Sequence, residues 1–135
     1  MAKGSPKTSR KGLIKKLDSV FSLYIRLKYS NKHGWVKCFT CGIAKHYKEM
    51  QNGHYVTRGK YSTRWDEENC RPQCYGCNIG RNGNYPVFSQ VLGMKVIDEL
   101  VRRGNMTVKF TDIDIKELIT KYEDLCVELK KALSL

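Results

Sequence analysis

The chain has 135 residues, a length that suits one domain with a modest core. Hydrophobic residues make up 41% and charged residues 28% of the sequence, as in ordinary globular proteins, and no apolar run approaches the roughly 20 residues that cross a bilayer. The N-terminal segment MAKGSPKTSRKG lacks the apolar core of a signal peptide, so we expect a cytoplasmic protein.

The net charge of +12 is spread unevenly along the chain. Residues 1–37 contain ten Lys or Arg and a single acid, Asp18, whereas residues 98–135 contain seven Lys or Arg and eight acids. Basic side chains neutralise phosphates without reading base sequence. The basic end therefore predicts a nucleic-acid partner, with an anionic membrane surface or a merely solvated tail as the alternatives.

The N-terminal part predicts a short arm followed by a helix. We interpret residues 1–9 as a disordered basic arm and residues 10–135 as a single domain. Apolar side chains recur at three- and four-residue spacing over residues 10–29, which is typical of an amphipathic helix. Lys11, Lys15 and Lys16 lie on the remaining surface of this helix, where they can contact phosphates or simply be solvated.

Two Cys-x-x-Cys pairs dominate residues 35–84, which we interpret as a loop-rich metal-bound module. Cys38 and Cys41 form the first pair, and Cys74 and Cys77 form the second. Four thiolates from two such pairs bind one Zn²⁺ in a closed, structural site. A redox role for either pair is the alternative. We expect Cys70 and Cys126 to be buried thiols, although Cys70 could in principle replace a ligand.

Polar residues between and directly after these pairs suggest hydrolysis of a phosphodiester. The imidazole of His54 can accept a proton from water near neutral pH. Asn78, directly after the last cysteine, can offer its carbonyl oxygen to Mg²⁺ or Mn²⁺. Asn69 could orient His54 by accepting the proton of its other nitrogen. A histidine after a glycine is on its own more often structural than catalytic.

Basic and aromatic residues alternate around this constellation, as expected of a surface that binds DNA through its shape and backbone. Trp65 is an aromatic residue of this group that could equally belong to the core. The basic residues that we predict to contact DNA here are Arg58, Lys60, Arg64, Arg71 and Arg81.

Two helices are predicted in the C-terminal region, residues 86–135. The first runs from Pro86 to Arg103, with Pro86 in its first turn and Gly104 just beyond its end. The second starts near Thr111, a suitable N-cap, and continues to the C-terminus. Both read as structural helices that could also form a dimer surface.

The ordered series Cys-x-x-Cys, Gly-His, Asn, Cys-x-x-Cys-Asn resembles the HNH, or ββα-metal, nucleases. The resemblance implies an α+β fold, in which a small zinc-bound HNH module is flanked by the N-terminal helix and two C-terminal helices. It also implies that His54 is the general base, that Asn69 supports it, and that Asn78 binds the catalytic ion. The Asn at the last position of this series is similar to the endonuclease VII type, which cuts Holliday junctions.

A closer resemblance spans roughly residues 13–103. The segments KKLDSVFSLYIRLK, KCFTCG, NGHYVTRG and RWDEENCRPQCYGCNIGRNGNY are similar to the phage lambda NinG (Rap) family of recombination nucleases. This resemblance implies an endonuclease that cuts branched recombination intermediates. Because such an enzyme makes two cuts, we expect a homodimer.

One departure from the HNH pattern concerns the metal shell. Many HNH enzymes carry Asp directly before the catalytic histidine, and here that residue is Gly53. We expect Gln51 to complete the shell, with Glu49 or a member of the acidic trio Asp66, Glu67 and Glu68 as alternatives. The missing carboxylate also leaves open a zinc-ribbon protein that binds nucleic acid without cutting it. A nicking enzyme for ordinary duplex DNA is the third hypothesis.

Overall fold

A computed structural model describes residues 9–135, and most of the predicted basic arm lies outside them. The helices and strands in chain order are α1 (Arg10–Lys28), β1 (Trp35–Lys37), β2 (Ala44–His46), β3 (Gln51–His54), α2 (Tyr61–Arg64), β4 (Cys70–Gln73), α3 (Tyr85–Leu92), α4 (Met94–Gly104) and α5 (Asp112–Leu133). The architecture mixes helices with two small sheets, as the predicted α+β class requires. No helix within residues 9–135 is long and apolar enough to span a membrane.

Helices α1 and α5 pack against each other and form much of the core. The side chain of Ser9 caps α1 by accepting the N–H of Gly12 at 3.1 Å. Thr111 and Asp114 form a reciprocal capping box at the start of α5, which confirms the predicted N-cap. The apolar stripes along both helices are buried between them because each repeats at helical spacing.

The predicted helix from Pro86 to Arg103 is in fact two helices, and that prediction is corrected here. Gly93 separates α3 from α4 with φ of 85° and ψ of 152°, a backbone conformation that residues other than glycine rarely adopt. The N–H of Gly93 bonds to the carbonyl of Ser89 and closes α3. The chain therefore turns at Gly93, although the apolar pattern continues across this residue and predicted one helix.

Four short strands form two antiparallel pairs in the central part of the chain. Strand β1 pairs with β2, and β3 pairs with β4 in the register Gln51 to Gln73 and His54 to Cys70. Strand β4 leads through Cys74 into the π-helical turn Gly76–Gly80. Because the two strands are antiparallel, the start of β3 at Gln51 lies beside that turn.

Candidate metal and catalytic site

The two Cys-x-x-Cys pairs converge in the structure, as predicted. Ligand sulfur atoms of Cys38, Cys41, Cys74 and Cys77 all lie within 4.8 Å of one another. The Sγ atoms of Cys41 and Cys74 are 3.7 Å apart. Tetrahedral Zn²⁺ with Zn–S bonds of about 2.3 Å places its sulfurs about 3.8 Å apart, so the donors fit this ion. The four cysteines can therefore hold a zinc ion.

The cysteine cluster joins the β1–β2 hairpin to the end of β4. The N–H of Phe39, inside the first pair, bonds to the carbonyl of Pro72 in β4 at 2.8 Å. Cys70 and Cys126 lie outside the cluster, and both are buried, which confirms that they are core thiols. The convergence means that a bound ion would fix the end of β4, and with it the turn that follows.

A cleft of about 620 Å³ opens beside this cluster. Its walls come from α1, β3, the loop after β3 and the turn Gly76–Gly80. The polar and charged residues that line it are Asp18, Ser22, Arg26, Lys48, Gln51, Asn52, His54, Thr57, Arg58, Asn78 and Tyr85. The structure thus brings His54, Gln51 and Asn78 to one cavity.

A backbone carbonyl orients the His54 ring. Nε2 lies 2.9 Å from the carbonyl oxygen of Arg64. Because a carbonyl can only accept a hydrogen bond, Nε2 carries the proton and donates it, and Nδ1 of the neutral ring keeps a free lone pair. Burial lowers the pKa of His54 below its ordinary value, and the positive charge of Arg58 adds to this effect. The ring is therefore suited to accept a proton through Nδ1.

Asn69 does not make the contact with His54 that we expected, and Arg64 supplies the acceptor instead. The fully buried Asn69 side chain accepts the N–H of Val56 at 2.7 Å and donates to the carbonyls of Val56 and Thr63 at 3.0 and 3.1 Å. These bonds hold both ends of the segment between β3 and α2. Asn69 thus contacts the backbone near Arg64 and not the ring of His54.

Asn78 and Gln51 lie in direct contact. The side-chain nitrogen Nδ2 of Asn78 donates to Oε1 of Gln51 at 2.7 Å. Asn78 sits on the turn Gly76–Gly80, directly after Cys77, so the cysteine cluster fixes its position. In this orientation the oxygen of Gln51 is engaged, while Oδ1 of Asn78 accepts no hydrogen bond within the described residues.

Gly53 is the residue that departs from the HNH pattern, and the structure explains why. A Cβ atom at this position would lie 2.0 Å from Oε1 of Gln73, whose side chain is completely buried. No larger residue fits unless Gln73 moves. The space that a side chain at position 53 would fill is occupied by an amide from the neighbouring strand.

The proposed carboxylate alternatives lie elsewhere, and none of them lines the cleft. Asp66 and Glu68 pair with Arg103 of α4. Glu67 accepts hydrogen bonds from Tyr24 and Tyr122, and so joins α1 to α5. All three side chains of the acidic trio are thus engaged within the protein and lie outside the cleft of His54.

Asp18 is the carboxylate that lines the cleft, and its bonds tie α1 to the C-terminal end of α2. Its two oxygens accept Nε and Nη2 of Arg64 at 3.0 and 2.5 Å, and Oδ1 also accepts Nε1 of Trp65 at 2.9 Å. Trp65 is buried, which confirms the core interpretation. Asp18 is the lone acid in the basic N-terminal region, a signal that our sequence interpretation did not use.

Two of the eight predicted DNA-contacting residues are engaged within the protein. Arg64 is bound to Asp18, and Nη1 of Arg71 donates to the carbonyls of Glu67, Glu68 and Cys70. Both guanidinium groups therefore contribute to the fold, Arg64 from α2 and Arg71 from β4, and contact of either residue with DNA stays a prediction. The other six are exposed, although Lys60 also donates to Oδ1 of Asn105 at 3.4 Å: Lys11, Lys15, Lys16, Arg58, Lys60 and Arg81.

Comparisons with known proteins identify a family. Neither the curated proteins nor the solved structures give a significant match to the chain. A family model described as Bacteriophage Lambda NinG protein matches residues 3–132, which include the cysteine cluster, the cleft and both long helices. The chain therefore belongs to the NinG family.

Proposed function

We propose that this protein is a metal-dependent DNA endonuclease of the HNH type that cuts branched DNA, such as four-way junctions. The observation that carries the proposal is the shared cleft of His54 and Asn78, beside four convergent cysteines. The proposal is supported by the order of two paired strands, β3 and β4, followed by a helical turn, which is the order that the HNH resemblance implies.

His54 acts as the general base in this proposal. Nδ1 accepts a proton from a water molecule, and the water oxygen forms a bond to phosphorus while a phosphorus–oxygen ester bond breaks. The leaving oxygen takes a proton from solvent. The carbonyl of Arg64 keeps the ring in the required tautomer and stabilises the imidazolium that forms.

Asn78 binds the catalytic ion, with Gln51 beside it. Mg²⁺ or Mn²⁺, when bound, stabilises negative charge on the phosphate and on the leaving oxygen. The amide oxygen donors of the cleft suit such hard cations. Because these donors are neutral, we expect protein alone to bind the ion weakly and the DNA phosphate to complete the site.

The exposed cations near the cleft bind the phosphate backbone. Lys48 and Arg58 line the cleft, and Lys11 and Lys15 extend the same side of α1. Phosphate contacts position DNA without reading its sequence. A resolving enzyme needs two cuts, so the proposal includes a homodimer.

A zinc-ribbon protein that binds nucleic acid without cutting it is the second candidate. It is favoured by Gly53, because the position before the histidine has neither a carboxylate nor room for one. The cutting assay separates the two candidates.

The test uses zinc-loaded full-length protein with labelled four-way junctions, duplexes and single strands, with and without Mg²⁺ or Mn²⁺. His54→Ala is compared with His33→Ala, the same change at an exposed histidine outside the cleft. We expect junction cleavage that requires the divalent ion, and a loss on the order of 100-fold or more for His54→Ala alone. Binding without cleavage under every condition would establish the second candidate, and equally fast cutting of duplexes would indicate a nicking enzyme.

A further inference from the structure

One arginine of the cleft carries a charge that no carboxylate of the described residues neutralises. Arg26 of α1 lines the cleft and is partly buried. Its Nε donates to the carbonyl oxygen and to Oγ of Ser22 at 3.2 Å, and its Nη1 donates to the carbonyl oxygen of Tyr47 at 2.8 Å. All three acceptors are neutral. Nη2 makes no hydrogen bond within residues 9–135 and stays accessible to solvent, so its N–H groups are free for a ligand.

Two other partly buried arginines are paired with carboxylates. Arg64 binds Asp18. Arg103 binds Asp66. The hydrogen bonds to Asp18 raise the pKa of Arg64, whereas burial lowers the pKa of Arg26 below its ordinary value. A positive charge that is partly removed from water is costly unless it is paired. An anion that enters the cleft would therefore stabilise Arg26.

The charge of the cleft suits an anion. Among the described residues that line it, Asp18 is the only acid, and both of its oxygens accept hydrogen bonds from Arg64. Lys48 directly follows Tyr47, whose carbonyl binds Arg26. The cations that line the cleft are Arg26, Lys48 and Arg58. An anion in the cleft thus meets three cations, and the carboxylate there is already engaged.

Helix α1 holds Arg26 on the side of the cleft. Asp18, Ser22 and Arg26 recur at four-residue spacing and all line the cleft, so they form one face of the helix. The bonds from Nε to Ser22 turn the side chain back along α1, towards Asp18. Asp18 binds Arg64, whose carbonyl orients His54. The guanidinium is therefore held on the wall of the cleft that leads to the proposed base.

We propose that Arg26 is a phosphate-binding residue of the cleft, which positions a DNA strand by donating from Nη2 to a backbone phosphate oxygen. This inference rests on the DNA partner in the proposed function and does not require that the DNA is cut. Guanidinium groups form strong, charge-assisted hydrogen bonds to phosphate oxygens. Because the bonds to Ser22 and Tyr47 hold the group before DNA arrives, little side-chain freedom is lost on binding.

The experiment measures junction binding by fluorescence anisotropy at several salt concentrations, with zinc-loaded full-length protein and no added Mg²⁺ or Mn²⁺. Arg26→Gln removes the charge and keeps a polar side chain. Arg102→Gln is the matched control, because Arg102 is exposed, paired with Glu99 and outside the cleft. We expect Arg26→Gln to weaken binding about 10-fold and to reduce the salt dependence by about one phosphate contact, and Arg102→Gln to change neither. Zinc content and melting temperature establish that each variant is folded.

A neutral backbone probe identifies the partner of Arg26. A methylphosphonate replaces one charged phosphate oxygen by a methyl group, and it is placed at one position after another along a junction strand. For the parent protein we expect a position at which this change weakens binding about 10-fold. Arg26→Gln should abolish the sensitivity at that position, because the contact is already lost. Arg26→Lys keeps the charge without the planar fork and should retain part of the sensitivity.

The outcomes separate the assignment from the function. The assignment is overturned if the parent protein binds no junction, or if folded Arg26→Gln keeps the affinity, salt dependence and methylphosphonate profile of the parent. Should Arg26→Gln not fold, an unchanged profile in folded Arg26→Lys overturns it. Where the parent cuts junctions and Arg26→Gln binds them as the parent does, the nuclease proposal stands and this assignment fails. Where binding follows the predictions and no DNA is cut with Mg²⁺ or Mn²⁺, the assignment stands and the nuclease proposal fails.

Discussion

At the scale of single residues, the best-defined feature is the hydrogen bond between His54 and the carbonyl of Arg64. A carbonyl selects one neutral tautomer because it can only accept, whereas an amide side chain could turn and accept or donate. Arg64 is itself held by Asp18 of α1 and by the carbonyl of Arg58. The orientation of the proposed base therefore depends on a contact between α1 and α2.

The pKa of His54 predicts the pH dependence of cleavage. Burial lowers this pKa below about 6.5, so the neutral base persists to lower pH than in a free imidazole. We expect the acidic limb of kcat/KM, which reports the free enzyme, to have its midpoint below about pH 6.5. The measurement is a pH profile of junction cleavage at saturating Mg²⁺.

Asp18→Asn provides the comparison for that profile. The Asp18 charge opposes the lowering of the His54 pKa, so its removal should shift the acidic limb to still lower pH. A midpoint clearly above pH 6.5 in the parent protein would contradict the proposed environment of the base.

The residue that holds the ring could not be identified from sequence. Asn69 has a suggestive side chain and position, but every residue carries a backbone carbonyl, so Arg64 has no sequence signature for this role. The contact between Gln73 and Gly53 could not be predicted from sequence either, because it depends on the pairing of β3 with β4. The cysteine ligands were predictable because few side chains bind zinc and their spacing is characteristic.

At the scale of elements, α1 presents its lysines in different directions. Each residue of an α-helix turns by about 100°. Lys11 and Lys15 therefore lie within about 60° of the cleft residue Asp18, whereas Lys16 lies about 160° away from it. The sequence grouped these lysines together, and only the position of the cleft separates them.

This difference predicts unequal effects on DNA affinity. Lys15→Gln should weaken junction binding and reduce the salt dependence of the association constant by about one phosphate contact. Lys16→Gln is the matched control, with the same charge change on the far side of α1, and should have a smaller effect. Binding titrations at several salt concentrations measure both. Equal effects would mean that DNA does not follow the cleft side of this helix.

Long helices were predicted well, and the junction between α3 and α4 was not. Helices α1 and α5 have both a capping residue and a long apolar stripe, two signals that agree. Gly93 interrupts an apolar pattern that continues on either side, and a single glycine is tolerated inside many helices. The positive φ angle that ends α3 is a property of the folded backbone.

At the scale of the whole molecule, a zinc ion held by the four cysteines would join parts that have little core of their own. The buried cluster around the metal site includes Cys38, Cys74 and Cys77, so three of the ligands are also core residues. A structural zinc site contributes on the order of 10 kcal/mol, comparable with the roughly 5–15 kcal/mol that stabilises a typical domain. The cleft should depend on the ion.

Zinc removal should therefore unfold the central module. We expect Cys38→Ser to lose stoichiometric zinc and the cooperative melting transition of this module, as chelation of the parent protein should. Cys126→Ser makes the same change at a buried thiol outside the cluster and should retain the metal. Elemental analysis and thermal unfolding measure both variants. Native melting with full zinc content in Cys38→Ser would exclude the four-cysteine site.

Sequence by itself determined the two long helices and the four cysteines. It also limited the candidates for a base and a metal ligand to a few polar residues. Spacing and side-chain chemistry are local properties, so they can be read along the chain. Tertiary structure alone decided which groups meet: the Arg64 carbonyl at His54, Asp18 at Arg64, and the Gln73 amide at Gly53. These contacts join distant segments through backbone atoms and shared space, which leave no pattern in the order of residues.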